Sequence, residues 1–303
     1  VLKGQVAMGL LKNWFLSTRP WSFTMTLISV SVGSALAAID GGFSWPLYLL
    51  TAFGAVLMHA GTNLVNDYYD TRFGVDSEEA ETAKYRPHVI VQGLIPARQV
   101  LTAGLASFAL AAAIGLYLTW VSGPTVLFIG VIGVIAGLGY TAPPMKYKYV
   151  ALGELSVFLM WGPLMVEGAY YVQRRALSFD AFLVSIPFGT LVALVLFANN
   201  IRDIEHDRKQ HIKTIAMMLG PKAGIHAYLA LVCLAYATTL AIALSGVLTM
   251  WGLLVFLSLP VAVKLLRQME RQIPSDADAR TAQLDTAFGI LLVTGLVIQG
   301  FVG

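Results

Sequence analysis

The chain has 303 residues, of which 57% are hydrophobic and 12% charged, with a mean hydropathy of +0.72. This excludes a soluble globular domain and marks a polytopic membrane protein. The net charge of +3 matters less than where the charges fall, no nucleic-acid partner is expected, and the single Cys233 excludes a disulfide framework and a cysteine-rich metal site.

Apolar runs of bilayer length, bounded by turn residues, predict spans at 21–39, 45–66, 99–120, 124–140, 151–172, 179–201, 222–244, 247–266 and 284–302. The expected fold is therefore all-α and polytopic, with nine transmembrane helices in one domain over 1–303. The first run follows Arg19-Pro20 and lacks a clear small-residue cleavage site, so it is expected to stay as a membrane helix. Connections alternate between short, nearly uncharged ones and longer polar ones at 67–98, 141–150, 202–221 and 267–283. With the N-terminus on the side of the long connections, every Lys and Arg except Arg174 and Arg175 falls on that side. The positive-inside rule then places the N-terminus and long loops in the cytoplasm and the C-terminus outside, in a cell membrane.

Two of these spans end in acids. Asn63, Asp67 and Asp70 close the second, with Asp76 after Gly74, and Asn199, Asp203 and Asp207 close the sixth. On a helix, steps of three and four residues bring such groups to one face, so each segment presents a stack of hard oxygen ligands. Their equivalent positions divide the chain into possible four-helix pseudo-repeats, 21–140 and 151–266, with a ninth helix at 284–302. The loop after Asp67 is long enough for a lid, and Ser77 to Lys84 reads as a helix start.

Carboxylates of this kind favour Mg²⁺, which keeps oxygen ligands and bridges to phosphate. Cations stand around them: Arg19, Arg72, Lys84, Arg86, Lys146, Lys148, Arg202, Arg208 and Lys213. Acids and bases together read as a diphosphate site, in which two Mg²⁺ ions and basic groups neutralise a departing diphosphate while the bundle takes an isoprenoid tail. Membrane topology alone would also place many of these bases here; Arg202, beside Asp203, and Lys146, after Pro143-Pro144, stand out. His59 reads equally as a cavity residue or a packing residue. His206, His211 and His226 lack ligand spacing. Glu167 falls inside span five, where a carboxylate faces a cavity or is paired or protonated.

At these residues the chain resembles the UbiA superfamily of intramembrane prenyltransferases, and within it the menaquinone-type branch. The match rests on Arg19-Pro20-Trp21-Ser22-Phe23, Asn63 through Asp70 to Asp76, Arg86-Pro87-His88 with Gln92-Gly93, Tyr140 to Lys146, Gly153-Glu154, and Asn199 to Asp207 with Lys213-Thr214. The resemblance implies helices around a central cavity, capped by cytoplasmic helical loops. It also implies Mg²⁺-dependent transfer of a polyprenyl group, geranylgeranyl or longer, from its diphosphate to an aromatic acceptor. By position, Asn63, Asp67, Asp70 or Asp76, Asp203 and Asp207 would hold the metal and diphosphate. Arg19, Arg72, Lys146, Asn199, Arg202 and Lys213 would bind substrate, and Tyr140 would meet the allylic cation with its ring. Asp67, Asp203, Lys146 and Tyr140 are the expected catalytic set. Thr71 stands where the family often has the last acid of the first cluster, which leaves Asp70 and Asp76 as alternatives.

The motif details resemble enzymes acting on 1,4-dihydroxy-2-naphthoate. 4-Hydroxybenzoate and a glycerol-phosphate lipid remain alternative acceptors. A cation-coupled transporter is the competing class, because acids in a repeated bundle also mark transporters.

Overall fold

The computed structural model describes residues 2–77, 88–210 and 212–302. The expected helix start at Ser77 to Lys84, together with Arg86, Pro87 and His211, therefore lies almost wholly outside the described residues.

Every described element is helical, apart from one parallel bridge between Val150 and Lys213. In chain order the helices are α1 (Leu2–Ser17), α2 (Phe23–Ile39), α3 (Trp45–Arg72), α4 (Ala97–Ser122), α5 (Thr125–Gly139), α6 (Gly153–Leu159), α7 (Met165–Arg174), α8 (Phe179–Arg202), α9 (Ile204–Lys209), α10 (Ile215–Leu244), α11 (Leu259–Arg271) and α12 (Ala277–Val302). Helix α1 was not expected, because its run is too short and mixed to read as a span. A π-turn at Met160–Leu164, around Gly162 and Pro163, joins α6 to α7 into one kinked crossing. A 3₁₀ stretch at Met250–Ser258 leads into α11.

Among the described residues, eight helices are long and apolar enough to cross a membrane. The fourth expected span is α5, whose 15 residues rise about 22 Å at 1.5 Å per residue, less than a hydrocarbon core of about 30 Å. Pro124 before it and the Pro143-Pro144 turn after it set this limit.

The most extensive buried core joins α2, α8, α10 and α12, where Phe188, Tyr228, Leu284 and Phe288 are fully buried. Helix α2 meets α7 at Gly33, where any Cβ would clash with the Val166 carbonyl. On the other side α3, α4 and α5 enclose open space, and only Val126 and Gly139 of α5 are buried. The bundle thus has a packed half and a hollow half.

Candidate functional site

Helix α3 continues six residues beyond its expected end, so Asn63, Asn66, Asp67 and Asp70 all ride on regular helix. The same four-residue step that links Asn63 to Asp67 links Asn66 to Asp70. A left-handed turn at Gly74, φ 74°, then folds the chain back, and the Val75 and Asp76 N–H groups donate to the Asp70 carbonyl. Helix α8 breaks at Asp203, and α9 carries Asp207 onward. His206 Nε2 lies 2.9 Å from the Val75 carbonyl, which ties the second acid segment to the loop after the first.

Between them lies a cavity of about 760 Å³. Its polar ceiling includes Arg19, Asn63, Asn66, Asp70, Asp76, Tyr140, Lys148, Asn199, Asn200, Asp203 and Asp207. The rest is mostly apolar and runs along α3 from Met58 to Thr51, against Ile114, Leu118, Ile129 and Val134. The 19 steps from Thr51 to Asp70 rise about 28 Å, so the cavity, ceiling and trunk together, reaches most of the way across a bilayer.

The ceiling is a network of paired charges. The Arg19 guanidinium binds Asp67, and Lys148 Nζ lies 2.5 Å from Asp70 and 3.3 Å from the Asn66 side-chain oxygen. The Tyr149 hydroxyl donates to Asp70. His88 Nε2 lies 2.9 Å from Asp76 and 3.9 Å from Asp67. Burial works to raise Asp76, but the hydrogen bond and charge of His88, backed by Lys148 and Arg19, hold it down at about 2. Arg202 clasps both oxygens of Asp203 at 2.7 Å and also reaches Asp278 at 2.8 Å and Asn199 at 2.6 Å. Asp207 is pushed up to about 6, first by burial and then by the charge of Asp203, with Lys148 and His206 opposing.

The remaining expected site residues fall elsewhere. Lys146 Nζ stands 3.8 Å over the Phe73 ring, outside the cavity lining. Arg72 reaches the Tyr68 hydroxyl at 3.4 Å, and Lys213 contributes its backbone, which pairs with Tyr149 and Ala151. Asp67 backs the ceiling through Arg19 and His88, and Arg202 does so through Asp203 and Asn199. Tyr140 lines the cavity with its ring 5.5 Å from that of Tyr147 and Lys148 Nζ 5.8 Å away.

Sequence reasoning singled out Lys146, whereas Lys148 is the lysine facing the acids. Lys146 takes a left-handed backbone, φ 45°, ahead of a 3₁₀ turn at Tyr147–Tyr149 that sends the two lysines to different sides. His206 is not merely interfacial, since it lines the cavity. His59 lines it too, held by Ser22 at 3.2 Å and Thr26 at 2.8 Å. Glu167 accepts from the Ser178 backbone N–H at 3.2 Å, near the start of α8.

Donor chemistry can be tested against a metal. Asp67, Asp76 and His88 bring ligand atoms within 4.8 Å of one another, while Asp70, Asp203 and Asp207 add oxygens across the cavity. Among the described residues, the permanent cations paired with these acids, Arg19, Lys148 and Arg202, do not balance five carboxylates. A hard, oxygen-seeking divalent cation fits that donor set.

An all-helical membrane protein with an apolar chamber under a ceiling of acids and bases is built to hold an amphiphile with a strongly anionic head. The chain belongs to the UbiA prenyltransferase family, whose model matches residues 26–291, and it is a prenyltransferase of that family. It is 32% identical over 288 residues to the 1,4-dihydroxy-2-naphthoate octaprenyltransferase of Bacillus subtilis, covering 94% of this chain and 92% of that one. It is equally 32% identical over 295 residues to UbiA prenyltransferase domain-containing protein 1 of Rattus norvegicus, covering 94% and 83%. In fold it is similar to a UbiA homologue from Aeropyrum pernix K1, with a TM-score of 0.69, 20% identity and coverage of 90% and 97%. A UbiA homologue from Archaeoglobus fulgidus, solved bound to GPP and Mg²⁺, gives a TM-score of 0.65 at 17% identity, covering 95% and 98%.

Proposed function

We propose that the protein transfers a polyprenyl group from its diphosphate to a ring carbon of an aromatic acceptor, with Mg²⁺ as cofactor and 1,4-dihydroxy-2-naphthoate as the acceptor. The observation that carries this reading is the division of the cavity: charged ceiling, apolar trunk. A prenyl diphosphate has the same division, with a geranylgeranyl or longer chain lying along the trunk. The naphthoate is supported by the B. subtilis relative, which matches nearly end to end.

Asn63, Asp67, Asp70, Asp76, Asp203 and Asp207 would hold Mg²⁺. Bound there, the metal supplies charge neutralisation for the diphosphate. Lys148 and Arg19 stand inside the cavity and can turn from Asp70 and Asp67 to phosphate oxygens, while Arg202 keeps Asp203 and Asn199 in place. The bond between the prenyl C1 and the diphosphate oxygen breaks with its electron pair leaving on oxygen. The allylic cation then faces the Tyr140 ring, in a trunk that excludes water; the acceptor ring carbon forms the new C–C bond, and its carboxylate departs as CO2, leaving the bonding pair to restore the aromatic ring. Helix α5 is the ninth crossing in this reading, in one domain of two four-helix units, and the acid ceiling faces the cytoplasm with α9 as part of its cap.

The test is a product assay on purified protein with Mg²⁺ and geranylgeranyl diphosphate. 1,4-Dihydroxy-2-naphthoate, 4-hydroxybenzoate and a glycerol-phosphate lipid are offered separately, with mass spectrometry of the lipid extract. A prenylated, decarboxylated naphthoquinol is expected. Product from another acceptor alone would move the assignment there, and gradient-driven uptake into liposomes without covalent product would replace it with transport.

A further inference from the structure

Head and tail of a prenyl diphosphate must part company at one level of the cavity, and the reacting carbon lies at that level. Helix α8 marks it. Val192, Val195 and Leu196 line the trunk, Asp203 and Asp207 line the ceiling, and Asn200 lies between, four residues after Leu196 and three before Asp203. Asn200 is only 7% exposed, and what it exposes faces the cavity.

Its orientation is fixed from behind. Asn200 Nδ2 donates to Glu154 Oε1 at 2.9 Å, and Glu154 is itself 7% exposed at the first turn of α6. A carboxylate only accepts, so the amide must present its nitrogen to Glu154 and turn its carbonyl oxygen away. That oxygen has no protein partner among the described residues. Three other polar groups lining the cavity have partners of their own: Asn199 with Arg202 at 2.6 Å, Asn66 with Lys148 at 3.3 Å, and the Tyr147 hydroxyl with the Ala136 carbonyl at 2.6 Å. Tyr140 is adjacent, since its hydroxyl lies 3.8 Å from where a Cβ on Gly153 would stand.

We propose that the Asn200 side-chain oxygen, aimed by Glu154, is the docking point for a hydroxyl group of the aromatic acceptor. The inference rests on the reading of the protein as an aromatic prenyltransferase. The acceptor is a phenol, and a phenolic O–H placed where water is excluded requires an acceptor partner. Bound to Asn200, the ring lies beside Tyr140 at the level where the allylic carbon is released. Asn200 is then a binding residue, and Glu154 a positioning residue that acts through it.

Calorimetric binding of 1,4-dihydroxy-2-naphthoate and of its two mono-methyl ethers, to the wild type and to Asn200→Ala, tests the contact. In the wild type, methylation of one hydroxyl is expected to weaken binding about tenfold, the size of one hydrogen bond. Asn200→Ala is expected to bind that ether and the parent equally, with the KM for prenyl diphosphate unchanged. Glu154→Gln, whose amide can donate as well as accept, is expected to lose about threefold in acceptor affinity and nothing in prenyl diphosphate KM; this variant decides the matter if Asn200→Ala does not fold. A methylation penalty that persists in full in the variants, or a prenyl diphosphate KM that rises with acceptor affinity, would overturn the docking point while leaving the reaction standing. Failure of the wild type to prenylate any aromatic acceptor would overturn the functional reading and this site with it.

Discussion

In the first acid cluster every carboxylate has its own partner: Asp67 has Arg19, Asp70 has Lys148 and Tyr149, and Asp76 has His88. In the second, Arg202 clasps Asp203, and Asp207 has no side-chain partner among the described residues. Asp67 and Asp70 are buried on α3, whereas Asp203 sits at a helix break beside a polar groove. The first cluster is therefore a frame of paired charges, whose cations must turn away to meet a ligand, and the second holds the acid without a side-chain partner. Like sequence motifs do not imply like electrostatics; the partners supplied by distant loops decide it.

The sharpest way to break this comparison is to remove one acid from each cluster. Asp67→Ala should abolish turnover and also cost about 3 kcal/mol of stability, because it strands a buried guanidinium. Asp203→Ala should abolish turnover with little change in thermal midpoint, since Arg202 keeps Asp278 and Asn199. Equal destabilisation of both variants, read by thermal unfolding in detergent, would erase the distinction between frame and open side.

Chelation acts on both clusters. EDTA should silence turnover and Mg²⁺ restore it, and activity indifferent to chelation would remove the metal from the account. Next in size is the lysine pair. Lys148→Ala should cost about a hundredfold in turnover, while Lys146→Ala and Arg72→Ala, which remove groups outside the cavity lining, should change it by no more than about twofold. The reverse order would put the diphosphate on the other side of the Tyr147–Tyr149 turn.

The smallest effect is in the pH profile. With Asp207 at about 6, lowering the pH through that value protonates it and removes a negative ligand, so Mg²⁺ affinity should fall on the acid side. Asp76, held near 2, stays charged across this range. Asp207→Asn should bind Mg²⁺ more weakly at neutral pH and lose the inflection near 6 in an Mg²⁺ titration; an inflection that survives belongs to another group.

Much of this was legible in the chain. The apolar runs placed the long crossings, and the Asn and Asp steps placed the first acid cluster along one helix; the second, expected on one helix face as well, is split by the break at Asp203, with Asn199 on α8 and Asp207 on α9. What was not legible depended on backbone turns and on distant contacts. Lys146 and Lys148 are indistinguishable by composition, and only the left-handed residue at 146 separates them. His88 reaches Asp76 from 12 positions further along the chain, and Lys148 reaches Asp70 from 78, separations at which spacing carries no information. Helix α5 is shorter than its apolar run, because hydropathy counts apolar residues and ignores where prolines stop the helix.

The most direct measurement is an experimental structure with Mg²⁺ and a non-reactive thiolo analogue of geranylgeranyl diphosphate. The account predicts the diphosphate under Asp70, Asp76, Asp203 and Asp207 with Lys148 turned onto it, and the tail along α3 past Met58 towards Thr51. A diphosphate seated instead in the groove of Lys209 and Arg271, or a tail outside the trunk, would contradict it.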